Sequence, residues 1–300
     1  MSKELKIAVI GLDTFHSVQY PAYIQDPSIP AEKHVDGARV TRALRFPSTF
    51  QSEEGQDARQ AKLEALGILV TRDFNEAVAD CDAIMMEIND PALHLEYFRK
   101  CAPLGKPIFI DKPFADTMEN AREIIALAKK YNVRFCTSSC RRFDHIYLDK
   151  LATVDFEPKC ANVWGSLGTG PDGTSTFIWY GVHEFEIMER VMGRGAATVS
   201  AREDDVGFVC HVTFKDGRRA VVEGCTAAES YGIMLRHGLN EAYVPCCPNP
   251  SPATELIREL VVFFNGGPAP VELEDSLEVF AMTLAADKSA KSGKPEPVEY

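Results

Sequence analysis

The chain has 300 residues, 45% hydrophobic and 25% charged, with 20 glycines and 18 prolines; this excludes collagen-like, disordered and disulfide-scaffold proteins and favours two packed units over a single core. Thirty-two basic residues against 44 acidic leave a formal charge of −12, which repels nucleic-acid phosphates and anionic lipid headgroups, so neither partner is expected. The odd count of nine cysteines, scattered without paired C-x2-C spacing, suits reduced thiols in a cytoplasmic protein, and the start MSKELKIAVIGL shows no apolar segment followed by a cleavage site.

Lys6 to Ile10 is a short Ile/Val run ending at Gly11, the pattern of a buried strand that turns into a helix. That helix ends near Gln25, before Pro27 and Pro30. A second strand is expected within Val35 to Phe46, a polar loop at Pro47 to Gln56, and a helix from Asp57 to Leu66 stopped by Gly67. Ile68 to Val70, Ala83 to Ile88 and Pro107 to Ile110 read as further strands, with helices at Asn75 to Ala79 and Pro91 to Ala102. Thr117 to Tyr131 is an amphipathic helix with Thr117 as its cap. Strands alternate with helices without a hairpin signal, so the first part should be a doubly wound parallel sheet.

From about Ala161 the strand candidates ANVWGSL, ATVSARE, GFVCHVTF and RRAVVEGCTA follow one another directly, with Lys215-Asp216-Gly217 as a turn. Helices are expected at His183 to Met192, Thr254 to Phe264 and Leu273 to Lys291, and PCCPNPSP at 245–252 as a loop. The reading is therefore α/β: a doubly wound unit over 1–138 and an α+β unit with a mostly antiparallel open sheet over 139–300.

The stretch from Ala83 to Phe114, with His94, Gly105, Lys106, Lys112 and Pro113, resembles the Gfo/Idh/MocA oxidoreductases, Asp111 standing where that family usually has Glu. The likeness continues through SSCRRFD, GVHEFEIMERVMG and the C-terminal EDSLEVFAMTLAADKSAKSGKP. It implies a Rossmann-type nucleotide domain followed by a substrate domain, and an enzyme that exchanges hydride between NAD or NADP and a secondary alcohol of a sugar or polyol. It also implies a homodimer or homotetramer joined through the open sheet.

Dinucleotide enzymes carry G-x-G-x-x-G after the first strand, where small residues let backbone N–H groups and a helix start approach the diphosphate. Here the run is Gly11-Leu12-Asp13-Thr14-Phe15-His16, so only the first glycine is kept. Thr14, Ser17 and a protonated His16 can still meet a phosphate; the alternative is that Asp13 or Thr14 only caps the helix. After the second strand, Arg42 and Arg45 either bind the extra phosphate of NADP or are exposed charges of an edge strand, which leaves the nucleotide open. Gly11, Asp13, Thr14, His16, Arg45, Asn89, His94 and Asp111 are the candidate cofactor contacts; His94 reads equally as a structural histidine.

The resemblance gives Lys112 the role of stabilising a developing alkoxide beside the nicotinamide, and His183 that of proton acceptor. Where the family often has an aspartate four residues earlier, this chain has Trp179; Tyr180, on a strand or turn, is the alternative hydroxyl. Trp179 either stacks on a sugar ring or fills core, and Arg141 either binds a substrate anion or makes an interdomain salt bridge. HEFE lacks the second histidine of H-E-x-x-H, so no metal is expected. The broken glycine motif and Trp179 also admit a non-redox carbohydrate lyase or isomerase, or a ligand-binding protein, on the same scaffold.

Overall fold

In the computed structural model, which describes residues 4–171, 173–247 and 253–300, the alternating part of the chain forms β1 (Leu5–Ile10), α1 (His16–Gln25), β2 (Ala38–Leu44), α2 (Glu53–Ala65), β3 (Leu69–Thr71), α3 (Phe74–Ala77), β4 (Ala83–Met86), α4 (His94–Cys101), β5 (Ile108–Asp111), α5 (Met118–Tyr131) and β6 (Phe135–Ser138). The sheet order is β3-β2-β1-β4-β5-β6, and β1 pairs in parallel with both β2 and β4. Strand β1 is buried everywhere except Lys6, and β4 and β5 are buried throughout. Continuous apolar runs follow from a sheet covered on both faces. Each fully buried Ile, Val or Leu contributes about 1.5–3 kcal/mol.

Helix α5 is capped as expected, the Thr117 side chain accepting from the Asn120 N–H, and it ends at Asn132 in the left-handed region (φ 52°). Helix α2 starts earlier than its apolar pattern suggests, because Ser52 accepts from the Gly55 N–H and Glu53 and Glu54 lie at the positive helix end.

The rest of the chain forms α6 (His145–Leu151), β7 (Cys160–Ser166), α7 (Thr176–Trp179), α8 (Val182–Met192), β8 (Ala196–Asp204), β9 (Gly207–Phe214), β10 (Arg219–Cys225), β11 (Gly232–His237), β12 (Asn240–Pro245), α9 (Thr254–Phe264), α10 (Leu273–Ser292) and β13 (Glu296–Pro297). A seven-stranded sheet of order β12-β11-β7-β10-β9-β8-β13 results. Its pairings are antiparallel except β7 with β10, which is parallel. Strand β9 alternates in burial, as expected for a sheet with one covered face, and α10 and α8 pack on β8 and β7. Trp179 ends the short helix α7, and Tyr180, expected on a strand or turn, lies in the turn that follows it. The expected 245–252 loop lies largely outside the described residues.

The chain divides into one unit of Met1–Thr137 with Ala253–Glu272, and another of Ser138–Pro252 with Leu273–Tyr300. This corrects the linear division at 138/139: α9 belongs with the parallel sheet. Phe263 of α9 is 1% exposed, the Arg134 guanidinium lies 4.6 Å over its ring, and Arg134 also bonds the Phe263 and Gly267 carbonyls. Phe263→Ala is expected to cost about 3–5 kcal/mol in urea unfolding, with hydrogen-exchange protection lost in β1–β6. Loss confined to the seven-stranded sheet would contradict this division.

Candidate functional site

Strand β1 leaves its sheet through Gly11, whose φ is +106° and where a Cβ would meet the Glu87 carbonyl oxygen at 2.4 Å. Only glycine fits, and the tight turn it permits leads to α1. That helix starts behind Phe15 without a side-chain cap. Thr14 is buried; its Oγ accepts from the His16 N–H at 3.3 Å and its carbonyl accepts from Ser17 Oγ at 2.7 Å.

Asp13 does not cap the helix. It is 2% exposed and accepts from the Asn89 N–H at 2.9 Å and Ser48 Oγ at 2.8 Å, tying the ends of β1, β2 and β4 together. Burial pushes its carboxyl above the ordinary range, against those two bonds, which favour the ionised form.

His16 Nδ1 lies 2.8 Å from Asp111 Oδ2, and its ring stacks on Tyr20 at 4.6 Å. Burial opposes the Asp111 charge, but His16 and Lys112 outweigh it and hold the carboxyl below its usual range. Glu87, directly after β4, is fully buried, and neither of its carboxylate oxygens has a hydrogen-bond partner. Burial, reinforced by Asp111 and opposed by Lys112, pushes it well above the ordinary carboxylate range. The sequence reading passed over Glu87 as the tail of a strand; a lone acid inside AIMMEI was the available signal. Lys112 follows β5, is 8% exposed, and joins Pro113 through a cis peptide.

Two expectations for cofactor contacts change. The Arg45 guanidinium is 6% exposed and held by Asp57 and Glu53 at 2.6 Å and by Gln60 at 2.8 Å, so α2 takes the charge expected to meet a phosphate. His94 is fully buried, its two ring nitrogens facing the Phe114 and Ile88 carbonyls at 3.1 and 2.9 Å; it is a structural histidine. Of Asn89, the half-buried residue beside it, the backbone N–H is committed to Asp13.

In the other unit, His183 opens the first turn of α8, and its Nδ1 shares a 2.6 Å hydrogen bond with Ser139 Oγ. The Ser139 N–H donates to Glu186 Oε1 at 3.1 Å, and Glu186 and Glu189 flank Arg142 at 3.2 and 2.5 Å. Burial, opposed by Arg142, raises Glu186 to about 7. The Tyr180 ring meets His183 edge-on at 5.0 Å, and Tyr180 also hydrogen-bonds Tyr231. Trp179 packs against Tyr180 at 5.7 Å and over Gly170. Arg141 is 3% exposed, stacked over Tyr231 at 3.8 Å and bonded to the Cys247 carbonyl at 2.7 Å. Sequence reasoning missed Ser139, and weighed the fully buried Glu184 only as part of HEFE; its carboxylate lies where a Cβ on Gly165 would be.

Residues 5–139 match the Gfo/Idh/MocA family, described as an oxidoreductase family with an NAD-binding Rossmann fold. Inositol 2-dehydrogenase of Klebsiella pneumoniae is 24% identical over 223 residues, 71% of this chain and 61% of that protein. The uncharacterized oxidoreductase YrbE of Bacillus subtilis is 25% identical over 196 residues, 56% of this chain and 55% of YrbE. The chain thus spans little more than half the length of these curated relatives. Myo-inositol dehydrogenase of Lactobacillus casei, solved with NAD(H) and myo-inositol, superposes with a TM-score of 0.79 at 16% identity, covering 99% of this chain and 97% of that one. Among the described residues no helix is long and apolar enough to cross a membrane.

The first unit fits a dinucleotide in two respects: the Gly11 turn allows close backbone approach, and the start of α1 carries no N-cap side chain. The Asp111 charge there is answered by His16.

Glu186 supplies a pH test. Its folded value of about 7 lies above an unfolded value of about 4.3, so the folded state holds the extra proton and stability falls as pH rises through that window. Urea unfolding is expected to show a loss on the order of 2 kcal/mol between about pH 4.5 and pH 7, with a shallower slope in Glu186→Gln. Equal slopes in the two proteins would contradict it.

Proposed function

We propose that this chain, whose residues 5–139 match the Gfo/Idh/MocA oxidoreductase family, is an NAD-dependent dehydrogenase acting on a secondary alcohol of a sugar or polyol. One observation carries the reading. Gly11 and Lys112 stand at the carboxyl ends of β1 and β5, beside the point between β1 and β4 where the strand order reverses. Open α/β sheets bind their ligands at such a point. The inositol dehydrogenases among the relatives support a polyol substrate.

The nicotinamide, when bound, takes up or returns the hydride. The backbone at the start of α1 holds the diphosphate, and the Gly11 turn lets it approach. Lys112 holds the reacting hydroxyl and stabilises the alkoxide that develops on it. His183, its Nδ1 bonded to Ser139, is the candidate proton acceptor of the second unit. Tyr180 and Trp179 line its approach. Because Glu53 and Asp57 occupy Arg45, NAD is favoured over NADP. A homodimer or homotetramer joined through the open sheet belongs to the same reading, and the odd count of nine cysteines accords with a cytoplasmic protein.

Fluorescence titration is expected to give saturable NADH binding, tighter than that of NADPH; no saturation by millimolar NADH removes the dehydrogenase reading in favour of a non-redox one. Lys112→Met should retain NADH affinity while kcat falls by about 100-fold or more. Unchanged turnover would refute its role.

A further inference from the structure

His16 at the start of α1, Glu87 after β4 and Asp111 at the end of β5 bring one imidazole nitrogen and two carboxylate oxygens together, all within 4.8 Å of one another. They come from three separate elements of one unit, so no spacing motif marks them. An acidic gathering alone would mean little. Here, however, Glu87 is 0% exposed and Asp111 1% exposed, and both Glu87 oxygens and Asp111 Oδ1 are buried without a hydrogen-bond partner. Folded interiors rarely leave such oxygens without a donor. Two buried carboxylates with unanswered oxygens, each offering a ligand atom within 4.8 Å of an imidazole nitrogen, are the donor set that a cation completes.

We propose that His16, Glu87 and Asp111 form a binding site for one divalent transition-metal ion. The chemistry is one imidazole with two carboxylates, a mixed N/O set suited to Mn²⁺, Fe²⁺ or Zn²⁺ rather than to the soft ions that choose thiolates. Ligand atoms about 2.0–2.2 Å from a metal ion sit roughly 3–3.5 Å apart. His16 Nδ1 and Asp111 Oδ2 are 2.8 Å apart and all three ligand atoms lie within 4.8 Å, so a metal ion would draw Glu87 in and replace the hydrogen bond between the other two. The His16 ring is oriented by stacking on Tyr20. His16 is 15% exposed while its partners are closed off, so entry is from the helix side. Three protein ligands leave further coordination positions for water or for the oxygens of a small ligand at the carboxyl ends of the strands.

The test uses the full-length protein, stripped with EDTA and free of nucleotide, so that it is independent of the dehydrogenase reading. Mn²⁺ is the probe, because its preference for oxygen and nitrogen keeps it off the nine thiols. Electron paramagnetic resonance titration is expected to show one Mn²⁺ per chain, with a ¹⁴N coupling from the imidazole in the pulsed spectrum. Glu87→Gln and Asp111→Asn should each weaken binding by about tenfold or more, and His16→Asn should abolish the ¹⁴N signal. Should Glu87→Gln fail the far-UV circular dichroism check for folding, His16→Asn, at a partly exposed position, decides. Absence of saturable binding by about 1 mM Mn²⁺, binding without ¹⁴N coupling, or affinity unchanged in the folded variants overturns the proposal.

Discussion

The carbonyl of Glu87 leaves no room for a side chain at position 11, and this steric limit organises the carboxyl end of the parallel sheet. Because β1 must exit through a glycine at positive φ, the chain folds back at once and α1 starts at His16. The same turn sets His16 against Asp111 and carries Asp13 to the Asn89 N–H. Three strand ends are thereby linked through polar contacts in a region otherwise packed with apolar side chains. A larger residue at position 11 would push β1 away from β4 and separate all of them.

The second unit is governed by a buried charge network. Arg142, 4% exposed, faces Glu186, Glu189 and Asp275, and Tyr147 Oη donates to its carbonyl at 2.6 Å. Removing one member of such a buried set leaves the others uncompensated, so its consequence is geometric as well as energetic. Glu186 fixes the Ser139 backbone and Ser139 fixes His183. The histidine is therefore bonded to a serine 44 positions away, whose backbone is in turn held by Glu186 of the histidine's own helix.

Features that are local in sequence were legible beforehand. The Ile/Val runs of β1, β4 and β5, the Thr117 cap and the span of α9 follow from nearest-neighbour chemistry and periodicity. What depends on distant partners was not. Arg45 looks like a phosphate ligand until α2, whose polar first turn reads as loop, supplies Glu53 and Asp57. The amphipathic pattern of α9 says that it is a helix, but not which unit it covers. Ser139 and Glu87 carry no motif of their own; their significance comes from what the fold sets beside them. The family likeness, by contrast, was readable because its motifs are short and keep their order along the chain.

The most direct measurement is a diffraction structure of the protein crystallised with saturating NAD⁺. The account predicts density for the diphosphate within hydrogen-bond distance of the backbone N–H groups at the start of α1, over the Gly11 turn, with Asp13 still bonded to Asn89 and Ser48. A nucleotide bound elsewhere, or a cleft that Asp13 and His16 keep closed to it at saturation, would contradict it.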